Sequence, residues 1–102
     1  MISEGCFING HVENSVLSPN VRVDEGAKLL YSVVMPGAKI ESGALVEYAI
    51  IGENTVVHKN AHVGQPPDGS DSWGVATCGP NIEIREGAEI KSGAMIYTSE
   101  EV

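Results

Sequence analysis

A unit of seventeen residues is written three times between Glu13 and Val63. Aligned, ENSVLSPNVRVDEGAKL, LYSVVMPGAKIESGALV and EYAIIGENTVVHKNAHV agree column by column. Leu17, Val34 and Ile51 share the fifth column, Val23, Ile40 and Val57 the eleventh, and Leu29, Val46 and Val63 the last. Asn20, Gly37 and Asn54 fall in the eighth column; Gly26, Gly43 and Asn60 fall in the fourteenth, each followed by Ala27, Ala44 or Ala61. A fixed self-similar period marks a stacked architecture. The branched residues recur at steps of six, six and five, which fits neither helical spacing nor long strand alternation.

Gly and Asn tolerate positive φ at low cost, so the eighth and fourteenth columns read as corners. Three short strands per unit then close a triangular coil, and each coil stacks on the last by parallel pairing at about 4.8 Å. The aliphatic columns point inward as continuous ladders. Burying one such side chain is worth roughly 1.5–3 kcal/mol against the entropy of ordering the chain. The expected fold is all-β: a single-stranded parallel β-helix, a triangular prism of about five coils with one long loop insertion. Parallel crossovers are generally right-handed; the hexapeptide pattern resembles the left-handed β-helix, and that resemblance supplies the expected left hand.

One domain is expected from 102 residues. Five aromatic residues suit a narrow Val/Ile core, and a formal charge of −8 argues against nucleic acid or a membrane surface as the main partner. No apolar stretch is long enough for a signal peptide or a membrane helix, so a cytoplasmic setting is expected.

Residues 1–12 read as a partial first coil, 13–63 as three full coils, 64–80 as a loop insertion, 81–96 as the last coil and 97–102 as a frayed acidic tail. In the first of these, Val12 fits the last column and Cys6, extrapolated back one coil, the eleventh; a small buried thiol behaves as an apolar residue. Cys78 lies within the insertion, and no disulfide is expected. The insertion, GQPPDGSDSWGVATCGP, excludes a helix or regular strand by its prolines and glycines. Its Trp73 either folds back on the wall or docks against another domain or subunit. Ile84, Ile90 and Ile96 take the inward columns of the last coil.

The candidate chemistry is sparse. His58 and His62 straddle a corner, and His11 and His62 share a column three coils apart, about 14 Å by strand spacing. That is too far for one metal ion, whose ligands lie within about 2 Å. No catalytic or metal set is assigned within the chain. Arg22 and Lys39 share the tenth column, beside Asp24 and Glu41 in the twelfth: they read either as charge pairing on a solvated wall or as contacts to a phosphorylated ligand or acidic partner. Tyr31 and Tyr48 share the second column, as plain ladder stacking or as an interface. No Walker loop, GxGxxG or GxSxG occurs.

The stretch HVENSVLSPNVRVDEGAKLLYSVVMPGAKIESGALVEYAIIGENTVV resembles the carboxy-terminal β-helix of bacterial glucose-1-phosphate adenylyltransferase, the ADP-glucose pyrophosphorylase family. GHVENSVL, YSVVMPGAKIESGA and EYAIIGENTVV carry the likeness; ISEGCFINGHV is similar to the start of that domain and SWGVATCGPNIEIREGAEIKSGAMI to its last coils. The resemblance implies a parent enzyme making ADP-glucose and pyrophosphate from ATP and glucose 1-phosphate, for glycogen biosynthesis. It implies that ATP and magnesium bind an amino-terminal catalytic domain absent from this sequence. The β-helix domain would support oligomers, usually tetramers, and border sites for sugar-phosphate or AMP effectors. The rivals are a hexapeptide acyltransferase with His58 or His62 as general base, a hydrolyase with zinc held by three histidines shared between subunits, and a pure assembly module.

Overall fold

The computed structural model describes residues 4–70 and 73–98. Among them the chain forms fifteen short strands, three to a coil. The first coil holds β1 (Phe7–Ile8), β2 (His11–Glu13) and β3 (Val16–Leu17); the second holds β4 (Arg22–Val23), β5 (Lys28–Leu30) and β6 (Val33–Val34). The third holds β7 (Lys39–Ile40), β8 (Leu45–Glu47) and β9 (Ala49–Ile51); the fourth holds β10 (Val56–Val57), β11 (His62–Val63) and β12 (Ala76–Cys78). The last holds β13 (Glu83–Ile84), β14 (Glu89–Ile90) and β15 (Met95–Ile96).

Every pairing is parallel and joins a strand to the equivalent strand one coil away. The result is three five-stranded sheets: β1-β4-β7-β10-β13 is the first face, β2-β5-β8-β11-β14 the second, and β3-β6-β9-β12-β15 the third. Leu17, Val34 and Ile51 stack in register, as do Val23, Ile40 and Val57, and Leu29 and Val46. All are fully buried, so the seventeen-residue columns are the core.

The two Gly/Asn columns are corners. Asn20, Gly37 and Asn54 have φ of 64°, 76° and 57°, and Gly26, Gly43 and Asn60 have 81°, 75° and 59°. The third corner uses a different residue: Asn14, Tyr31 and Tyr48 take φ of 48°, 48° and 49°. A left-handed conformation costs an L-residue roughly 1–2 kcal/mol, so something local must hold these tyrosines. Part of it is a buried serine ladder. Ser15 Oγ donates to the Glu13 carbonyl (2.9 Å) and accepts from the Ser32 amide (3.0 Å). Ser32 Oγ donates to Leu30 (2.8 Å) and accepts from the Ala49 amide (3.2 Å).

Two expectations are corrected. Ile8, not Cys6, pairs with Val23, because the first coil is two residues short between β1 and β2. Gly10 makes the shortcut: a Cβ there would lie 2.6 Å from the Asp24 carbonyl oxygen and 2.7 Å from that of Ala27. Cys6 is half-buried, its Sγ 3.2 Å from the Ser18 carbonyl oxygen. The insertion is also shorter than 64–80: Ala76–Cys78 form β12, in register with Ala49–Ile51, and Cys78 fills the inward column between Ile51 and Ile96. Ile84, Ile90 and Ile96 complete the inward columns as expected. Of the expected frayed tail, Tyr97 and Thr98 are described and exposed; the remainder lies outside the described residues.

Candidate functional site

Each strand presents an outward side chain, and the three-residue strands β2, β5 and β8 add a second outward column, Glu13, Leu30 and Glu47. On the first face the outward side chains are Phe7, Arg22, Lys39, Val56 and Glu83. Arg22 and Lys39 do stack in successive coils. Arg22 is already engaged: its Nε donates to Asp24 Oδ1 at 2.6 Å, and its guanidinium carbon lies 4.8 Å from the Phe7 ring centroid. The second face presents His11, Lys28, Leu45, His62 and Glu89.

All three histidines meet carboxylates. His11 Nε2 lies 2.8 Å from Glu13, and His62 Nε2 lies 2.7 Å from Glu47, whose side chain is only 11% exposed. His58 has two partners, Nδ1 at 2.9 Å from Glu41 Oε1 and Nε2 at 2.8 Å from Glu83 Oε1. Among the described residues no three histidine, cysteine or acidic side chains are placed to hold a metal ion. A general base must offer a free ring nitrogen to its substrate; both nitrogens of His58 point at carboxylates.

The third face differs from the other two. Its outward column is Val16, Val33, Ile50, Thr77 and Met95, with no charge in five coils. Val16, Val33, Ile50 and Met95 are exposed, and so are Met35 and Tyr97, which follow the inward residues of the same sheet. Along the other edge runs an aromatic corner. Tyr31 and Tyr48 stack at 4.9 Å between centroids and 8° between planes. Trp73 meets Tyr48 edge-on at 5.9 Å, its Nε1 donating to the Gln65 carbonyl at 2.8 Å. The indole thus lies against the wall at Tyr48. The insertion springs from the corner that the tyrosines occupy one coil below.

Residues 1–79 match the family model described as GlmU-like, C-terminal hexapeptide. The chain belongs to the GlmU-like C-terminal hexapeptide family. It is 51% identical over 92 residues to a glucose-1-phosphate adenylyltransferase of Bacillus cytotoxicus, covering 90% of this chain and 17% of the relative. It is 35% identical over 104 residues to a glucose-1-phosphate adenylyltransferase of Acetivibrio thermocellus, covering 94% of this chain and 24% of the relative. A third, from Desulfitobacterium hafniense, is 31% identical and matched over 24% of its length. The chain thus spans about a quarter or less of the curated relatives it matches. No solved structure matches it significantly.

The sequence carries a signal for the uncharged third face: the fourth column holds Val16, Val33 and Ile50 directly before the inward fifth column, so both sides of that strand are apolar. The partnership of His58 with Glu41 also follows from a separation of seventeen residues. Its partnership with Glu83, twenty-five residues on, depends on the insertion and carries no repeat signal.

Proposed function

We propose that this chain is the carboxy-terminal scaffold, oligomerisation and regulatory domain of a glucose-1-phosphate adenylyltransferase. The parent reaction converts ATP and glucose 1-phosphate to ADP-glucose and pyrophosphate in the cytoplasm, for glycogen biosynthesis. ATP and magnesium belong to the catalytic domain, and the hexapeptide domain contributes no reacting group. The observation that carries this reading is the charge-free third face. In a chain of net charge −8, an exposed column of Val16, Val33, Ile50 and Met95 is a surface that a neighbour covers.

Its size favours a domain of the same polypeptide over a second copy. Five strands about 4.8 Å apart give a face about 20 Å tall and, at similar width, roughly 400 Å². Interfaces between domains of one chain bury roughly 600–1,500 Å² in total; a stable dimer needs about 800 Å² from each partner. Tyr31, Tyr48 and Trp73 form the aromatic rim of that contact. Lys39, and Arg22 once an anion displaces Asp24 from it, hold an anionic effector, a sugar phosphate or AMP, from the first face at the joint between domains or subunits of an oligomer. There a ligand biases their arrangement.

The test is direct. The purified chain is assayed for ADP-glucose synthesis and expected to be inactive. Co-expressed with the catalytic portion of the Bacillus cytotoxicus relative, it is expected to co-purify. Synthesis by the chain alone, or no association, overturns the reading.

A further inference from the structure

Three successive coils meet at one imidazole. Glu41 follows β7, His58 follows β10, and Glu83 begins β13. His58 Nδ1 and Nε2 lie 2.9 and 2.8 Å from the Glu41 and Glu83 carboxylates. A neutral imidazole has one N–H and one lone pair. At these distances a lone pair aimed at a carboxylate oxygen repels it, so both contacts together require the doubly protonated ring. We propose that His58 is a proton-operated clasp that fastens the last coil to the two beneath it.

The surroundings support this. Hydrogen bonding to Glu83 raises the His58 pKa above its ordinary value; partial burial opposes this, and the bond to Glu41 adds to the rise. The other charged groups on these elements are Lys39 beside Glu41, Lys59 next to His58, and Arg85 and Glu86 after β13. Glu41, His58, Lys59 and Glu86 line a shallow cleft of about 340 Å³. Carboxylates make the direct contacts, and the side chain is still 32% exposed, so solvent protons reach it.

Fastening matters because the last coil is an edge of all three sheets, paired on one side only among the described residues. Two-residue strands join it to the fourth coil through the amides of Val56, His58, His62 and Gly64, which donate to Ile82, Ile84, Ala88 and Ile90. The same coil pins the insertion: the Ser92 amide donates to Gln65 Oε1 and the Gly93 amide to the Gly74 carbonyl. The clasp therefore acts on the insertion and on Trp73 as well as on the coil edge. A histidine whose folded pKa is raised contributes stability that is fully present below its unfolded value near 6.5 and is lost as pH rises through the folded value. Releasing the proton, as pH rises through that folded value, loosens the last coil. This is a property of the coil stack, independent of the catalytic partnership proposed above.

Native-state amide exchange resolved by residue tests it. After correction for intrinsic rates, protection at Val56, His58, His62 and Gly64 is expected to fall several-fold between pH 6 and pH 8.5. The amides of Arg22 and Asp24, which donate to the third coil at Ala38 and Ile40, should hold theirs. His58→Gln is expected to abolish the step, whereas His62→Gln, which removes a histidine on the second face, should keep it. Should His58→Gln fail to fold, Glu83→Gln substitutes for it, with the His58 ring proton signals followed by NMR: the wild-type midpoint lies above 6.5 and falls in the variant. A wild-type midpoint at or below 6.5, or a pH step that survives His58→Gln, overturns the clasp.

Discussion

Tyr31 and Tyr48 lie ring on ring, 4.9 Å apart and 8° from coplanar, with backbone φ of 48° and 49°. The stack and the strained corner are one feature. A left-handed backbone at both positions sets the two rings one above the other at the third corner. Trp73 then returns from the insertion to close the edge of the upper ring.

Replacing Tyr48 should therefore invert the usual order of glycine and alanine. Alanine loses the stack, worth about 0.5–1.5 kcal/mol beyond buried area, and keeps the strain. Glycine loses the stack and relieves roughly 1–2 kcal/mol of strain. Tyr48→Ala is expected to melt below Tyr48→Gly by about 4–8 °C per kcal/mol in a domain of this size, and Trp73 emission should shift in both. Equal melting temperatures, or glycine below alanine, would show that the backbone is unstrained there.

How much was legible follows from that corner. The inward ladders and two corners were readable because apolar side chains and Gly/Asn recur at the same seventeen-residue spacing. The third corner is signalled only by Asn14; tyrosine, at the same corner of the next two coils, says nothing about positive φ. Cys6 was misplaced because one shortened coil, closed at Gly10, has no repeat against which to count. The expected insertion takes in Cys78 although ATCG echoes AIIG, Ala49 to Gly52, one coil earlier; the prolines and glycines ahead of it mask the echo. Among surface groups, Arg22 and Lys39 were placed correctly by column, but the ties of Arg22 to Asp24 and Phe7 depend on side-chain rotamers that no spacing encodes.

A glycine pair tests the stacking itself. Gly37 and Gly87 have φ of 76° and 72°, but a Cβ on Gly37 would run into the Asn54 side chain one coil up, whereas none is near Gly87. Gly87→Ala should cost roughly 1–2 kcal/mol from conformation alone, and Gly37→Ala more. Asn54→Gly should recover the excess, giving a coupling of about 0.5–3 kcal/mol in a double-mutant cycle by urea denaturation. Strictly additive effects would mean that the two residues are not stacked.

Adjacent residues on β9 should respond in different ways. Ile51 is fully buried, and Ile51→Ala should lower stability by about 2–5 kcal/mol. Ile50 faces outward, 38% exposed, so Ile50→Asp should cost the chain alone less, about 1 kcal/mol from strand propensity. It should also stop co-purification with the catalytic portion of the relative. Undiminished association of Ile50→Asp would move the docking surface off the third face.

The two thiols should separate cleanly by reactivity. Burial pushes the Cys78 thiol up to about 11 from 9.0, and its side chain sits in the inward column between Ile51 and Ile96. The thiolate is the reacting species, and at pH 8 a group of that pKa is ionised about one part in a thousand. Cys6 is half-buried, next to β1. Ellman's reagent is therefore expected to titrate one thiol per folded chain, lost in Cys6→Ser, and two after denaturation. The raised value has a second consequence of definite sign. The buried neutral thiol contributes stability up to pH 9, and that contribution drains away as pH climbs toward 11. Cys78→Val, close in volume, should leave stability at pH 7 within about 1.5 kcal/mol and flatten this alkaline loss. Fast labelling of Cys78 in the folded chain would mean that the last coil leaves its column uncovered.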